Sequence, residues 1–191
     1  FFDAVNKKKP FLTLKIASTV DSKIATENFK SKWITSKHSR HIGHLLRLRN
    51  ECLLTTGQTI LKDDPLLNCR LKGLVKYSPD IFIIDRELKL DFSKKVFNNK
   101  NRKIFIFHNC KITRDNHNKY KKRNIKLIFI SKSNGLLNLR EIMKQIVDCG
   151  YQSILAEGGG KISSSLVSND LVDSIYWFRA SKFIGQEGIS A

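Results

Sequence analysis

Four short stretches place residues capable of chemistry side by side. In Ala156-Glu157-Gly158-Gly159-Gly160-Lys161, an apolar segment runs into a carboxylate, three glycines and a lysine. Glycines let backbone N–H groups approach a phosphate closely, and a helix starting there adds a favourable dipole. The spacing is neither a Walker loop nor Gly-x-Gly-x-x-Gly, and a plain structural turn explains the run equally well. Glu157 either hydrogen-bonds a ligand or caps that turn. A second stretch, Gly57 to Arg70, contains Asp63, Asp64, Pro65 and Arg70. Its two readings are a polar site and an N-cap with its turn. In the third, Leu14-Lys15-Ile16-Ala17, a lysine sits near the end of an apolar strand. It either points to water, as unpaired lysines do, or faces an anionic or hydroxyl-bearing ligand. The fourth is a helix face on which Arg40, His44 and Arg47 share one side. His38 and His41 lie nearby, but the surrounding cations repel a metal ion and no carboxylate or cysteine completes a ligand set. This face is either solvated or a phosphate clamp built on Arg47.

The elements that must position these residues follow from apolar patterning. Phe11–Ala17 alternates and reads as a strand, with Asp21–Trp33 after it as a long polar loop. Lys37–Glu51 reads as a helix with Ile42, Leu45 and Leu46 inward. Cys52–Thr56 is a short strand ended by Gly57, and the next short helix stops at Asp64-Pro65, because the residue before proline is pushed out of the helical region. Strands are expected at Asp80–Asp85, Lys103–His108 and Ile125–Ser131. Asn138–Cys149 is the clearest helix, with Leu139, Ile142, Met143, Ile146 and Val147 on one stripe, a capping-box start at Asn138 and Glu141, and a stop at Gly150. Ser153–Ala156 is a strand, a helix follows the glycines to about Ser168, and Ser174–Ala180 is another strand. This alternation predicts an α/β fold with a mostly parallel sheet flanked by helices. Ligands in such sheets sit at the carboxyl ends of strands, which directs attention to the segments after Ala17, Thr56, Asp85 and Ala156.

Composition narrows the function classes. The chain has 191 residues, of which 41% are hydrophobic, enough for one domain with a core. No apolar run approaches the roughly 20 residues of a membrane helix, and the first ten residues lack a signal-peptide core. A chain opening on Phe1 rather than Met reads as a fragment, a processed product or a chain preceded by a leader. Cys52, Cys69, Cys110 and Cys149 form no Cys-x-x-Cys pair and read as reduced thiols of a cytoplasmic protein. The net charge of +18 suits phosphorylated small molecules or polyanions. Its spread along the chain, with no aromatic RNA-binding signature, argues against nucleic acid as the partner.

In order along the chain, Pro10-Phe11-Leu12-Thr13-Leu14-Lys15-Ile16-Ala17, Asp21-Ser22-Lys23-Ile24-Ala25, Ser31-Lys32-Trp33-Ile34-Thr35-Ser36, Leu46-Arg47, Asp63-Asp64-Pro65-Leu66-Leu67, Arg70, Ile84-Asp85-Arg86 and Glu157-Gly158-Gly159-Gly160 resemble one family. It is the reductase domain of the bacterial bifunctional riboflavin-biosynthesis deaminase/reductases, which has the dihydrofolate-reductase-like fold. The resemblance runs from Pro10 to about Gly185. It implies a 5-amino-6-(5-phosphoribosylamino)uracil reductase that transfers a hydride from NADPH to C1′ of the ribosyl group, giving the ribityl product.

By motif position, the resemblance places Ser31, Arg47, Leu67 and Arg70 at the substrate's phosphate. It places Lys15 and Glu157 at its ribosyl and pyrimidine portion. Ala17, Trp33, Thr59, Asp63, Gly159, Gly160, Lys161 and Ile162 fall on the cofactor side, and Asp63 touches both ligands. Lys15, Asp63 and Glu157 are the expected catalytic groups, with Lys15 the proton or hydrogen-bond donor. Arg86, at a strand end, is expected to meet the 2′-phosphate of NADPH or else to be a surface arginine. No metal is called for.

Relatives are commonly homodimers. Residues 1–9 read as the linker from an upstream zinc deaminase, whose own motifs this chain lacks, and 10–191 as the reductase domain, C-terminally incomplete because it stops before the family's usual last strand. The chain departs from the family at Thr19-Val20-Asp21-Ser22, usually Ser-Leu-Asp-Gly, and at Ser181-Lys182-Phe183-Ile184-Gly185, usually Pro-Lys-Leu-Leu-Gly. The competing readings are another NADPH-dependent oxidoreductase of the same fold, against which Arg47 and Arg70 argue when the substrate lacks a phosphate, and a basic nucleic-acid-binding module.

Overall fold

The computed structural model describes residues 9–26, 36–99, 101–186 and 188–190. Eleven strands are β1 (Phe11–Thr19), β2 (Lys23–Thr26), β3 (Cys52–Thr56), β4 (Asp80–Ile84), β5 (Ile104–His108), β6 (Ile125–Phe129), β7 (Lys132–Ser133), β8 (Leu136–Leu137), β9 (Ser153–Glu157), β10 (Ser174–Ala180) and β11 (Gly188–Ser190) among the described residues. The described α-helices are α1 (Lys37–Arg49), α2 (Gly57–Asp63), α3 (Arg114–Lys121), α4 (Leu139–Asp148) and α5 (Gly160–Ser168).

Seven strands form one sheet in the order β10-β1-β9-β3-β4-β5-β6. Every pairing in it is parallel. Parallel strands need covered faces, and this sheet has a core on each. One holds Leu12, Leu14, Leu54, Phe82, Phe107, Ile154 and Ala156 against Ile142, Met143 and Ile146 of α4 and Leu166 of α5. The other holds Leu53, Ile81, Ile83, Ile106 and Leu155 against Leu46 of α1, Ile60 of α2 and Tyr120 of α3. The central strands β4 and β5 are almost continuously buried, which is why they read as unbroken apolar runs.

Most elements stand where the sequence places them, with shifts at their ends. β1 continues to Thr19 rather than stopping at Ala17, so Lys15 is mid-strand and not near its end. The loop expected over Asp21–Trp33 contains β2, held by antiparallel pairing to β11 far along the chain. α2 stops at Asp63 and is capped by Asp64 in the left-handed region (φ 40°). The following proline bars Asp64 from continuing the helix, and the left-handed turn still lets its N–H donate to the Ile60 carbonyl. The box at the start of α4 is only half formed. Asn138 accepts from the N–H of Arg140 and of Glu141, but Glu141 turns to the N–H of Ser131 instead of back to Asn138. α3 buries only Tyr120, so it lacks the apolar stripe that would mark a helix in the sequence.

The two departures from the family pattern meet in space. Asp21 accepts from the N–H of Ile184 and of Gly185 at 3.2 and 2.8 Å, and Val20 N–H donates to the Lys182 carbonyl. Ser22 stands where the family has glycine, and its φ is +58°, a conformation that costs a residue with a Cβ about 1–2 kcal/mol. Glycine carries an entropic cost of its own, so Ser22→Gly is expected to stabilise the fold by about 0.5–1 kcal/mol. Thermal and denaturant melts would check this, and an unchanged or lowered midpoint would show that the turn carries no strain.

Candidate active site

The register of the sheet builds the floor of a pocket. Lys15 on β1 lies beside Glu157 on β9 and beside Tyr176 on β10, and residues in register share a face. Two positions on, Ala17 lies beside Phe178. The wall is α1, which begins at Ser36 with its hydroxyl accepting from Ser39 N–H. α1 buries Leu46 and packs Ile42 toward the core, so its other side presents Arg40, Gly43, His44 and Arg47. These follow the i, i+3, i+4, i+7 spacing of one helical face. Arg70, from the loop after α2, closes the pocket, which has a volume of about 160 Å³ and is lined by Lys15, Arg40, His44, Arg47, Arg70 and Glu157 among others.

Arg47 and Glu157 form the fixed element of this pocket. Arg47 Nε donates to Glu157 Oε1 at 2.7 Å and Nη2 to Oε2 at 2.9 Å, a fork on both carboxylate oxygens. Its Nη1 donates to the Asn68 carbonyl at 3.0 Å, tying the Arg70 loop to α1. Three of the five N–H donors of a guanidinium are thus engaged, and one on each Nη is left to face a ligand. Lys15 Nζ stands 4.0 Å from Glu157 Oε2. Burial pushes the Glu157 carboxyl up, but Arg47 and then Lys15 outweigh it and hold it below its ordinary value. The pocket therefore gathers three arginines and a lysine around one carboxylate, a field for an anion.

The loop carrying Arg70 is braced from below. The buried Arg102 donates to the carbonyls of Leu66, Leu67 and Val96, and burial lowers it to about 10. Leu67 has φ +49° and its side chain is in the core, so it shapes the loop while Arg70 itself is exposed.

The glycines follow directly on Glu157 and carry the chain from one face of the sheet to the other, where α5 packs. A Cβ on Gly158 would stand 2.4 Å from Ile162 Cγ2, whereas nothing lies within 4 Å of one on Gly159. α5 starts with no side-chain cap, which leaves the first-turn N–H groups of Gly160, Lys161 and Ile162 for a ligand. Thr59, whose N–H is capped by Thr56 Oγ1, lies across from Gly158. Partial burial pushes the Asp63 carboxyl, at the end of α2, above its ordinary value. This open, glycine-lined backbone has the character needed to take a dinucleotide phosphate.

Arg86 is apart from the pocket. It donates to the Gly135 carbonyl at 3.1 Å and to Glu87 Oε1 at 2.5 Å, and Lys89 and Arg86 together hold Glu87 down to about 2. Ser31 and Trp33 lie outside the described residues. Arg40, Gly43, His44 and Phe178 belong to the pocket although the motifs did not assign them. The helical spacing of the first three with Arg47 was a signal in the sequence, while Phe178 is placed only by the sheet order. His38 and His41 stay exposed.

The family model for the RibD C-terminal domain matches residues 10–190.

The chain belongs to the RibD C-terminal domain family.

Its similarity to the riboflavin biosynthesis protein RibD of Aquifex aeolicus (strain VF5) is 33% identity over 190 residues, covering 100% of this chain and 51% of that protein. It is 29% identical over 171 residues to a 5-amino-6-(5-phosphoribosylamino)uracil reductase of Buchnera aphidicola subsp. Acyrthosiphon pisum, covering 84% of this chain and 80% of that one. A solved Thermotoga maritima deaminase/reductase superposes with a TM-score of 0.80 at 30% identity, over 100% of this chain and 50% of its own. This RibD C-terminal domain thus spans about half the length of the Aquifex relative. Reduction by a family of this kind implies a nicotinamide cofactor. Among the described residues, no helix is long and apolar enough to cross a membrane.

Proposed function

We propose that this domain is a 5-amino-6-(5-phosphoribosylamino)uracil reductase that uses NADPH. The observation that carries the reading is the junction at Glu157. A cation-lined pocket of phosphate character ends there, and the glycine-lined start of α5 begins at the next residue. Two anionic ligands held on either side of one strand end would meet at that end.

When bound, the reduced nicotinamide supplies a hydride. In the proposed reaction C1′ of the ribosyl group gains that hydride, the bond from C1′ to the ring oxygen breaks, and the oxygen takes a proton. Lys15 donates to that oxygen. Glu157, kept ionised by Arg47, orients the sugar and pyrimidine. Arg70 and the remaining N–H groups of Arg47 hold the phosphate, with Leu67 shaping their loop and Ser31 the proposed hydroxyl partner. Ala17, Trp33, Thr59, Asp63 and the first turn of α5 at Gly159, Gly160, Lys161 and Ile162 form the cofactor side.

The parent protein is proposed to act in the cytoplasm as a homodimer and to carry a deaminase domain upstream. The free cysteines suit a reducing compartment. The half-exposed Ile175 and Trp177 on edge strand β10 suit a covering subunit. The test of activity is oxidation of NADPH, followed by absorbance, with the phosphoribosylamino-uracil as acceptor. No oxidation by a folded protein would overturn the assignment.

Arg86 provides a separate test of cofactor choice. If it reads the 2′-phosphate, Arg86→Ala weakens NADPH by about 1.5 kcal/mol, the lower end for a charge-assisted bond, because Glu87 already shares the guanidinium. NADH binding would hardly change. Equal losses for both cofactors, or none, would move that role elsewhere.

A further inference from the structure

His44 is the one ionisable pocket residue whose ordinary range lies near neutrality, and the proposed reaction gives it no task. Its Nδ1 accepts from the backbone N–H of Arg70 at 3.4 Å, so its lone pair is turned to the loop that carries the exposed guanidinium. The groups that face it come from every element of the pocket. They are Arg40 and Arg47 on its own helix, Arg70 on the loop, Glu157 on β9 and Lys15 on β1. Glu157 is already shared between Arg47 and Lys15, so little negative charge is left to support a further cation.

We propose that His44 is a proton-coupled positioning residue: neutral before a ligand arrives, it takes up a proton when a phosphate monoester dianion settles against Arg70. The proposal rests on the phosphate-pocket reading above and adds a group that adjusts its charge to the ligand. Burial first, then Arg47 and Arg70, lower its proton affinity, while the Asn68 backbone and Glu157 oppose them more weakly. A dianion in the pocket reverses the sign of the local field, and opposite charge within a few ångströms favours the charged imidazole. As a cation, His44 gives up its acceptor role at Nδ1, and the Arg70 N–H is then released to donate to the phosphate. The positive charges from Arg47, Arg70 and His44 would together match the ligand, without three fixed cations repelling one another in its absence.

The coupling has a definite sign. A site that gains proton affinity on binding strengthens binding as pH falls through that group's range. The phosphate itself titrates near pH 6, so sulfate serves as a dianion that does not titrate there. Ribose 5-phosphate and sulfate are titrated into the folded domain, with the His44 ring followed by NMR and proton uptake measured by calorimetry in two buffers of different ionisation enthalpy. The expected result is a rise of about one unit in the His44 pKa, a tenfold change in proton affinity. Sulfate affinity should increase about threefold or more from pH 8 to pH 6. His44→Gln keeps an acceptor for the Arg70 N–H and no titratable group, so its sulfate affinity, whatever its level, should no longer rise between pH 8 and pH 6. Binding with no change at the His44 ring, or equal proton uptake by His44→Gln, overturns this proposal and leaves the phosphate pocket standing. Failure of the parent to bind either anion overturns both. The ring titration needs no substitution, so a variant that folds poorly does not spoil the test.

Discussion

Arg47→Ala is expected to cost about 3–5 kcal/mol of stability, the range for removing one partner from a buried ion pair, whereas Arg70→Ala is expected to cost almost none. Both arginines line the same pocket, but only Arg47 is forked onto the buried Glu157. Removing it leaves that carboxylate with Lys15 at 4.0 Å and without its two hydrogen bonds. At roughly 2–4 °C per kcal/mol for a chain of this size, the melting midpoint should fall by about 6–20 °C.

The pH dependence gives a check that general damage cannot mimic. In the parent, Glu157 has a lowered pKa, so its contribution is full above the unfolded value and is lost as pH falls through the folded one. In Arg47→Ala burial dominates and the carboxyl shifts upward instead. The variant should therefore regain part of its deficit as pH falls toward 5. Arg70→Ala should keep the parent melting curve and raise KM for the phosphorylated substrate by about ten- to a hundredfold, as expected for a lost charge-assisted bond. Denaturation at pH 5 and pH 8, with steady-state kinetics beside it, separates the two. An Arg47→Ala protein as stable as the parent would contradict the buried-pair account.

Lys15→Met is expected to lower kcat/KM by about two orders of magnitude or more, as for a lost acid or electrostatic group, while leaving the fold intact. The methionine retains most of the buried stem, and the Arg47–Glu157 pair does not depend on the ammonium. Because the role assigned to Lys15 is donation to the departing ring oxygen, the loss should fall on kcat more than on KM. A drop confined to KM would make Lys15 a binding group, and unchanged kinetics in a folded variant would remove it from the reaction.

Much of this was legible in the sequence, for physical reasons that differ by element. Ile81–Ile84 and Ile104–Phe107 read as strands because a sheet covered on both faces buries every residue. α4 read as a helix because its stripe faces a core. β2 did not, since its partner β11 lies far along the chain and pairing of that range leaves no local pattern. α3 has only Tyr120 buried, too little to mark a period. In the pocket, the residue types at Lys15, Arg47, Arg70 and Glu157 were visible, but the division of labour was not. That Arg47 is held by Glu157 while Arg70 is exposed depends on which strand lies beside β1. The position of His44 among these cations required the same knowledge, although its spacing from Arg40 and Arg47 was plain.

Arg47 and Glu157 are 110 positions apart, and β9 slots between β1 and β3, two strands made much earlier. The pocket therefore cannot assemble progressively from the N-terminus. As the chain emerges during synthesis, β1 and β3 lack the strand that joins them until β9 has been made, and α1 presents its cations to a half-built cleft. Closing so long a loop is entropically costly, and such non-local pairing slows folding. Ligand affinity would accordingly emerge late in folding, no earlier than the insertion of β9, making phosphate binding a reporter of long-range strand pairing rather than of early collapse.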